Sequence, residues 1–113
     1  MATQIPLNTF KTTTANVTTS ATNVYTTPAG VTTVVLLTQV SNIDATNSVT
    51  ISANHVRGGN STSIIKNVTV PINDAINLLS GKLILQTGDS FSISASANSR
   101  AQLVLSYLET ANA

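Results

Sequence analysis

The polar part of this sequence consists of Thr, Ser and Asn rather than of charged residues. Only 8% of the residues are charged, against about a quarter in an ordinary globular domain, whereas Thr, Ser and Asn together supply about two-fifths of the chain. Thr is β-branched and favours strands, while Asn and Ser form turns by bonding their own backbone. The composition predicts strands and turns, with a surface whose hydroxyl and amide groups cost less to bury than ions.

Apolar runs alternate with turn signals along the whole chain, which predicts about eight short strands spaced about 8–12 residues apart. Most connections are too short for parallel crossovers, so the pairing is predicted to be antiparallel. The fold class predicted is an all-β, antiparallel β-sandwich of jelly-roll type. The predicted strands span 10–17, 22–27, 31–43, 48–57, 62–70, 82–86, 90–97 and 101–108. Residues 72–79 fit a short extended piece or one helical turn capped by Asp74, and the extended piece is preferred.

Two regions are distinguished along the chain. Residues 1–23 are interpreted as an extended N-terminal arm that includes the first strands, and residues 24–113 as the β-sandwich domain. The Thr tract of the arm, Thr12–Thr14 with Thr18 and Thr19, leaves two alternatives: a strand added to the sheet edge of a neighbour, or a surface strand of its own sandwich. Because charges are too scarce to guard sheet edges, we expect neighbouring chains or the arm to cover them.

Individual strands carry more specific expectations. The run Val34–Leu37 is apolar on both faces, which predicts a central strand covered by the second sheet and by a partner or the arm. In 90–97, Phe91 and Ile93 are expected inside and the serines outside. Ile64 and Ile65 are adjacent and are expected to point to opposite faces.

Composition excludes several classes of function. The net charge is +1 and the five Lys and Arg residues are scattered, so we expect no nucleic-acid binding. The chain has no cysteine, which excludes disulfides and cysteine-based zinc sites. Residues 1–10 lack a signal-peptide pattern and no long apolar run occurs, so we expect synthesis in a cytoplasm and no membrane partner.

Candidate catalytic and metal-binding residues are few. The single histidine, His55, is interpreted as a surface or interface residue at the end of a hairpin. The aspartates Asp44, Asp74 and Asp89 lie in predicted turns, where they bond the local backbone, so no calcium site is predicted. No His–acid pair is apparent that could activate a Ser or Thr. We therefore predict no enzymatic activity, no metal and no cofactor.

Several motifs together resemble small structural proteins of the virions of tailed bacteriophages, especially phages of cyanobacteria. The resemblance covers roughly residues 24–109 and implies a β-sandwich carried on the particle, often as a trimer. The motifs are Thr27-Pro28-Ala29-Gly30, Ile65-Lys66-Asn67-Val68-Thr69-Val70-Pro71, Leu79-Ser80-Gly81-Lys82-Leu83-Ile84-Leu85, Thr87-Gly88-Asp89 and Leu105-Ser106-Tyr107-Leu108-Glu109.

The function expected from this resemblance is that of a capsid decoration or cement protein that stabilises the head shell. Its location is then the virion, after synthesis in the bacterial host, and its partners are further copies of itself, as a homotrimer, and the major capsid protein or other virion proteins. The alternative is a tail, baseplate or fibre accessory protein with a receptor- or glycan-binding role. The predicted interface residues are the arm anchors Phe10, Val17 and Tyr25 and the hairpin tip of Arg57, Gly58 and Gly59.

Overall fold

The computed structural model describes residues 8–79 and 81–111, and these residues form β-strands and no helix. Residues 1–7 of the predicted arm and Ser80 of the predicted Ser80–Gly81 turn lie outside the described residues. The strands are β1 (Asn8–Val17), β2 (Thr22–Thr26), β3 (Val31–Asn42), β4 (Val49–Arg57), β5 (Asn60–Val70), β6 (Ala75–Asn77), β7 (Leu83–Leu85), β8 (Ser90–Ala95) and β9 (Ala101–Ala111).

The strands form two antiparallel sheets, which confirms the predicted fold class. The first sheet has the order β1-β9-β3, and β6 and β7 both pair with the far side of β3. The second has the order β2-β8-β4-β5. The two short strands β6 and β7 together occupy one strand position, so the described chain has the eight positions of a jelly roll, with connections that pass from sheet to sheet. The short extended piece predicted within 72–79 corresponds to β6.

The core lies between the two sheets and is built from alternate residues of their strands. Its largest fully buried side chains include Phe91 and Ile51 of the second sheet and Leu103 and Leu105 of the first. Phe91 and Ile93 face inward as predicted. Ser90 and Ser92, predicted to be outside, are nevertheless buried. They lie on a central strand, where larger side chains of the neighbouring strands cover a small side chain. For example, the hydroxyls of Thr26 and Ser90 are hydrogen-bonded at 2.8 Å.

The strand β5 is irregular because it contains more residues than its partner. Its register with β4 shifts between Ile51 and Ala53 and again between Ala53 and Asn54, and in both places the extra residue belongs to β5. Ile64 is the extra residue at the second shift. The expectation that Ile64 and Ile65 point to opposite faces is therefore wrong: the bulge turns both toward the core, against which both pack.

The strand β3 also carries an extra residue, Leu36, in its pairing with β9. This bulge explains the apolar run: Val35 faces the core, while Val34, Leu36 and Leu37 lie on the outer side, where Leu36 is exposed. Two short strands and β9 flank β3 within the sheet, but its outer apolar side chains remain accessible to solvent in the described structure.

Candidate functional site

Sheet edges are the places where this fold can accept another strand, because an outermost strand leaves backbone N–H and C=O groups without partners. The edges of the first sheet are β1 on one side and β6 with β7 on the other, and those of the second are β2 and β5. The strands β6 and β7 have three residues each, and β2 has five. The two long edges are β1, with ten residues, and β5, with eleven.

The β1 edge is regular along its whole length. Ten consecutive residue pairs, from Asn8 with Thr110 to Val17 with Ala101, join it to β9 without a register shift. The strand contains no proline or glycine, and its Thr residues favour the extended backbone. Within the described residues β1 pairs on one side only, so its other side offers a straight ladder of donors and acceptors.

The only charged residue of β1, Lys11, is directed to the inner side of the strand and does not guard the edge. Its Nζ lies 2.8 Å from Oε1 of Glu109, a buried carboxylate on β9. Burial by itself raises the pKa of Glu109, but hydrogen bonds from Lys11 and Tyr25 outweigh that effect, so the pKa lies below its ordinary value. The ion pair anchors β1 to its own sandwich and neutralises the charge of Lys11.

Tyr25 joins the two sheets beside this ion pair. Its hydroxyl donates to Oε2 of Glu109 at 2.6 Å and lies 2.7 Å from Oγ1 of Thr33 on β3. The ring contacts that of Tyr107, with centroids 4.3 Å apart. Burial and then the bond to Glu109 raise the pKa of Tyr25 well above its ordinary value, which keeps the phenol protonated as a donor. Tyr25 is thus a structural link between β2, β3 and β9.

An apolar row crosses the outer face of the first sheet and ends at the β1 edge. The register pairs Phe10 with Leu108, Leu108 with Val34, and Val34 with Ile84, so these four side chains, here called the apolar row, stand side by side on β1, β9, β3 and β7. Phe10 is 73% exposed and Ile84 49%. Contiguous exposed apolar side chains are typical of a contact site, whereas single exposed apolar residues are common on any protein surface.

The same face contains a shallow depression further along β1 and β9. It has a volume of about 300 Å³ and is lined by Thr14, Ala15, Asn16, Gln102, Leu103 and Val104. Of its lining residues, Val104 is an exposed apolar side chain and Thr14 an exposed hydroxyl. The depression lies beside the edge, so a group presented by a strand paired with β1 would reach it.

A second polar cluster lies where the β4–β5 hairpin meets the turn before β8. Asp89 is 2% exposed and accepts hydrogen bonds from Nε and Nη2 of Arg57 at 2.8 and 2.6 Å. It also accepts the backbone N–H of Gln86 at 2.9 Å and lies 3.0 Å from Nε2 of His55, which must donate because a carboxylate only accepts. Hydrogen bonds from Arg57, which outweigh burial, hold the pKa of Asp89 well below its usual range.

The cluster refines the interpretation of His55. His55 is half-buried and bonded to Asp89 rather than a simple surface residue, and the two form a His–acid pair that the sequence did not reveal. The sequence hid this pair because its members are 34 residues apart and meet only through the pairing of β4 with β8. Asp89 also makes the predicted turn bond, to Gln86.

The contacts of the His55–Asp89 pair hold the β4–β5 hairpin against the turn before β8. The two oxygens of Asp89 are shared among Arg57, His55 and a backbone N–H. No group of three or more His, Cys, Asp or Glu residues within 8–79 and 81–111 could hold a metal ion. The same ranges contain no helix of the length and hydropathy that a transmembrane span requires.

The predicted interface residues fall into different environments. Phe10 is exposed on the apolar row, whereas Val17 is 1% exposed in the core of its own protomer and Tyr25 packs against that core. Arg57 is half-exposed and holds Asp89. Gly58 and Gly59 form the exposed turn of the β4–β5 hairpin with φ of +57° and +81°, which glycine adopts without strain.

Comparison with known proteins shows the fold only. No family model matches the chain, and no curated protein does. A structure of Bacillus endospore appendages, described as a novel family of disulfide-linked pili, is similar over 95% of this chain and 88% of that one, with a TM-score of 0.56 and 11% identity. Eiger TNF from S. frugiperda matches over 90% and 87%, with a TM-score of 0.47 and 14% identity.

Proposed function

We propose that this protein is a structural, non-enzymatic subunit of a tailed-phage particle, a decoration or cement protein that stabilises the head shell. Its partners are other copies of itself and the major capsid protein or another virion protein. The observation that supports this most directly is the apolar row, which crosses the outer face of one sheet and meets an open, regular edge.

Such a surface suits attachment to a repeated lattice. Apolar side chains contribute free energy when a partner removes them from water, and the surrounding Thr and Ser hydroxyls can exchange hydrogen bonds with water for bonds to a neighbour. Each contact is weak, but a protein anchored at several points of one particle gains avidity without any new contact. The motifs that resemble virion proteins lie in β5, β7 and β9 and in the segments that precede β3, β7 and β8.

The polar clusters support a structural role as well. The Lys11–Glu109 pair fastens an edge strand and the Arg57–Asp89 pair fastens a hairpin, and each carboxylate is fully engaged. Neither arrangement leaves an activated nucleophile, which is the requirement for covalent catalysis. We therefore keep the proposal that the chain is not an enzyme and that no cofactor takes part.

Mass spectrometry of particles purified from the host that encodes the chain tests this proposal. A copy number comparable with that of the major capsid protein supports a decoration role on the head. A far smaller number overturns the decoration role in favour of a tail accessory protein, and absence from the particles overturns the virion assignment altogether. Filaments of the purified chain in electron micrographs would favour a pilus-like polymer instead, which in this cysteine-free chain could not be disulfide-linked.

A matched pair of variants tests whether the apolar row makes the contact. Ile84 lies in the row and is 49% exposed, while Ile43 lies outside it and is 51% exposed. Added to particles that lack the protein, the Ile84→Ser variant should bind roughly tenfold more weakly than wild type. The Ile43→Ser variant should bind as wild type does. Equal binding by both variants would contradict a role for the row.

A further inference from the structure

The structure points to the partner of the open edge. We infer that β1 pairs with β1 of a second copy of this chain, antiparallel and around a two-fold axis at Thr12. The inference rests on the proposed function, because it specifies one of the contacts through which such a subunit assembles. The product is one continuous sheet in which the β1 strands of two sandwiches lie side by side.

The edges themselves favour a second β1 over any other strand of the chain. The strand β5 is bulged twice, and Asn67 within it adopts a left-handed backbone with φ of +55°, so it cannot form a straight ladder. The strand β2 has a register shift, and β6 and β7 are too short. Of the edges in the described part of the chain, β1 alone has a long and regular set of free backbone groups. A second copy of the chain has the same edge, so two identical β1 strands can pair.

The symmetry restricts how two such edges meet. Antiparallel pairing of identical strands requires a two-fold axis perpendicular to the sheet, so the outer faces of both copies stay on the same side. Residues then oppose residues of the same face. With Thr12 on the axis, Thr12 faces itself, Lys11 faces Thr13 and Phe10 faces Thr14, so no like charges oppose each other. Cross-strand aromatic and β-branched pairs are favourable, as are pairs of Thr residues.

This register also brings Phe10 to the depression beside the edge. Phe10 of one copy lies opposite Thr14 of the second, and Val104 of that copy lies one strand further along the same face, because Thr14 and Val104 are paired neighbours in the sheet. The exposed aromatic ring then lies against Thr14, at the margin of the depression of about 300 Å³ that Thr14 and Val104 line. By symmetry the contact occurs twice. Moving the axis to Thr13 would instead place Phe10 opposite Asn16, a polar residue of the same depression, and farther from Val104.

The pairing has a consequence for the number of subunits. A two-fold contact closes when two copies have met. It therefore produces a dimer by itself, and a trimer of the kind that the resemblance implies would need a second, different contact. The mass of the assembly in solution separates these cases.

Single-cysteine cross-linking tests the register. Because the sequence contains no cysteine, each variant carries one thiol only, at the position under test. Residues directly opposite in an antiparallel pair have Cβ atoms about 4.5–5.5 Å apart, close to disulfide range. We expect the Thr12→Cys variant to form a covalent dimer under mild oxidation several-fold faster than Thr14→Cys. A Thr62→Cys variant, exposed on the β5 edge, is the control and should form no covalent dimer. Equal cross-linking at positions 12 and 62 would overturn the pairing.

A charge variant tests the same contact without covalent chemistry. Thr12 is exposed, so Thr12→Lys should leave the protomer folded while placing two like charges together on the axis. In sedimentation experiments we expect this variant to dissociate at a concentration roughly tenfold higher than wild type, and Thr62→Lys to match wild type. A wild-type protein that stays monomeric at all accessible concentrations would overturn the inference.

Different results would overturn the virion role and the β1 pairing. A chain that is found on particles but never forms the Thr12 contact overturns the β1 pairing and leaves the virion role standing. A chain that dimerises through Thr12 but is absent from particles overturns the virion role and leaves the pairing standing.

Discussion

The two long edge strands of this jelly roll differ in almost every feature that controls strand addition. The strand β1 forms an unbroken register with its neighbour, while β5 contains two extra residues and a left-handed Asn67. Both contain one lysine, but Lys11 is turned inward to Glu109, whereas Lys66 is exposed next to a bulge. A protein with few charges can therefore protect a sheet edge by bulges, and only one of the two long edges is protected in this way.

Each edge region is also fastened by a buried carboxylate, and the largest difference between the regions is expected there. Asp89 beside the β4–β5 hairpin accepts hydrogen bonds from the Arg57 guanidinium, the His55 ring and a backbone N–H, so Asp89→Asn should lower the free energy of unfolding by about 2–3 kcal/mol. Glu109→Gln beside β1 should cost less, because Tyr25 can still donate to the amide oxygen. Denaturant unfolding of both variants checks the order, and a larger loss for Glu109→Gln would contradict it.

The pH dependence of stability follows from the same carboxylates. The pKa values of Asp89 and Glu109 lie below their ordinary values in the folded protein, so both groups add stability that is fully present above about pH 4–5. That stability is lost as the pH falls through the folded-state pKa values. The difference in unfolding free energy between wild type and Asp89→Asn should therefore shrink on acidification, and a difference that grows instead would refute the ion-pair assignment.

The two edges are predicted to contribute equally to the core. Val17 ends β1 and Val70 ends β5, and both are essentially inaccessible to solvent. Truncation of either to alanine removes buried methyl groups and leaves a cavity, so each variant should lose about 2 kcal/mol of stability. Thermal unfolding measures the two losses. If Val17→Ala has a negligible effect on stability while Val70→Ala loses about 2 kcal/mol, β1 does not contribute to the core of the sandwich.

The irregular backbone that protects the β5 edge from pairing includes a strained residue, Asn67. Asn tolerates the left-handed conformation at position 67 better than other non-glycine residues, and Asn67 also exchanges hydrogen bonds with Ser52. Asn67→Ala should therefore cost about 1 kcal/mol, while Asn67→Gly, which keeps the backbone free, should cost less. Chemical denaturation of both variants checks this, and equal stability of the alanine variant and wild type would show that the bulge is unstrained.

The smallest effect on folding is expected at the open edge. Phe10 is largely exposed, so Phe10→Ser should change the unfolding free energy by no more than about 0.5 kcal/mol in the monomer. It should nevertheless weaken self-association, whereas Ile72→Ser, another exposed apolar site, should not. Sedimentation and denaturation of both variants separate the two quantities. Strong destabilisation of the monomer by Phe10→Ser would contradict the exposed position of the ring.

The sequence predicted the strands well because Thr, Val and Ile alternate with Gly, Asn and Pro turns over most of the chain. It failed where tertiary packing decides. A bulge cannot be located from a pattern, so the directions of Ile64 and Ile65 were wrong, and burial of Ser90 depends on side chains of neighbouring strands. The His55–Asp89 pair and the apolar row combine residues far apart in sequence, so only the strand order could reveal them.

The proposed assembly requires that β1 is the edge that receives another strand. Hydrogen exchange of individual backbone amides, measured at rising protein concentration, tests this directly. We expect the amides of β1 that point away from β9 to become more protected as the concentration rises, and those of β5 to stay unchanged. Concentration-dependent protection confined to β5, or no change along β1, would contradict the account.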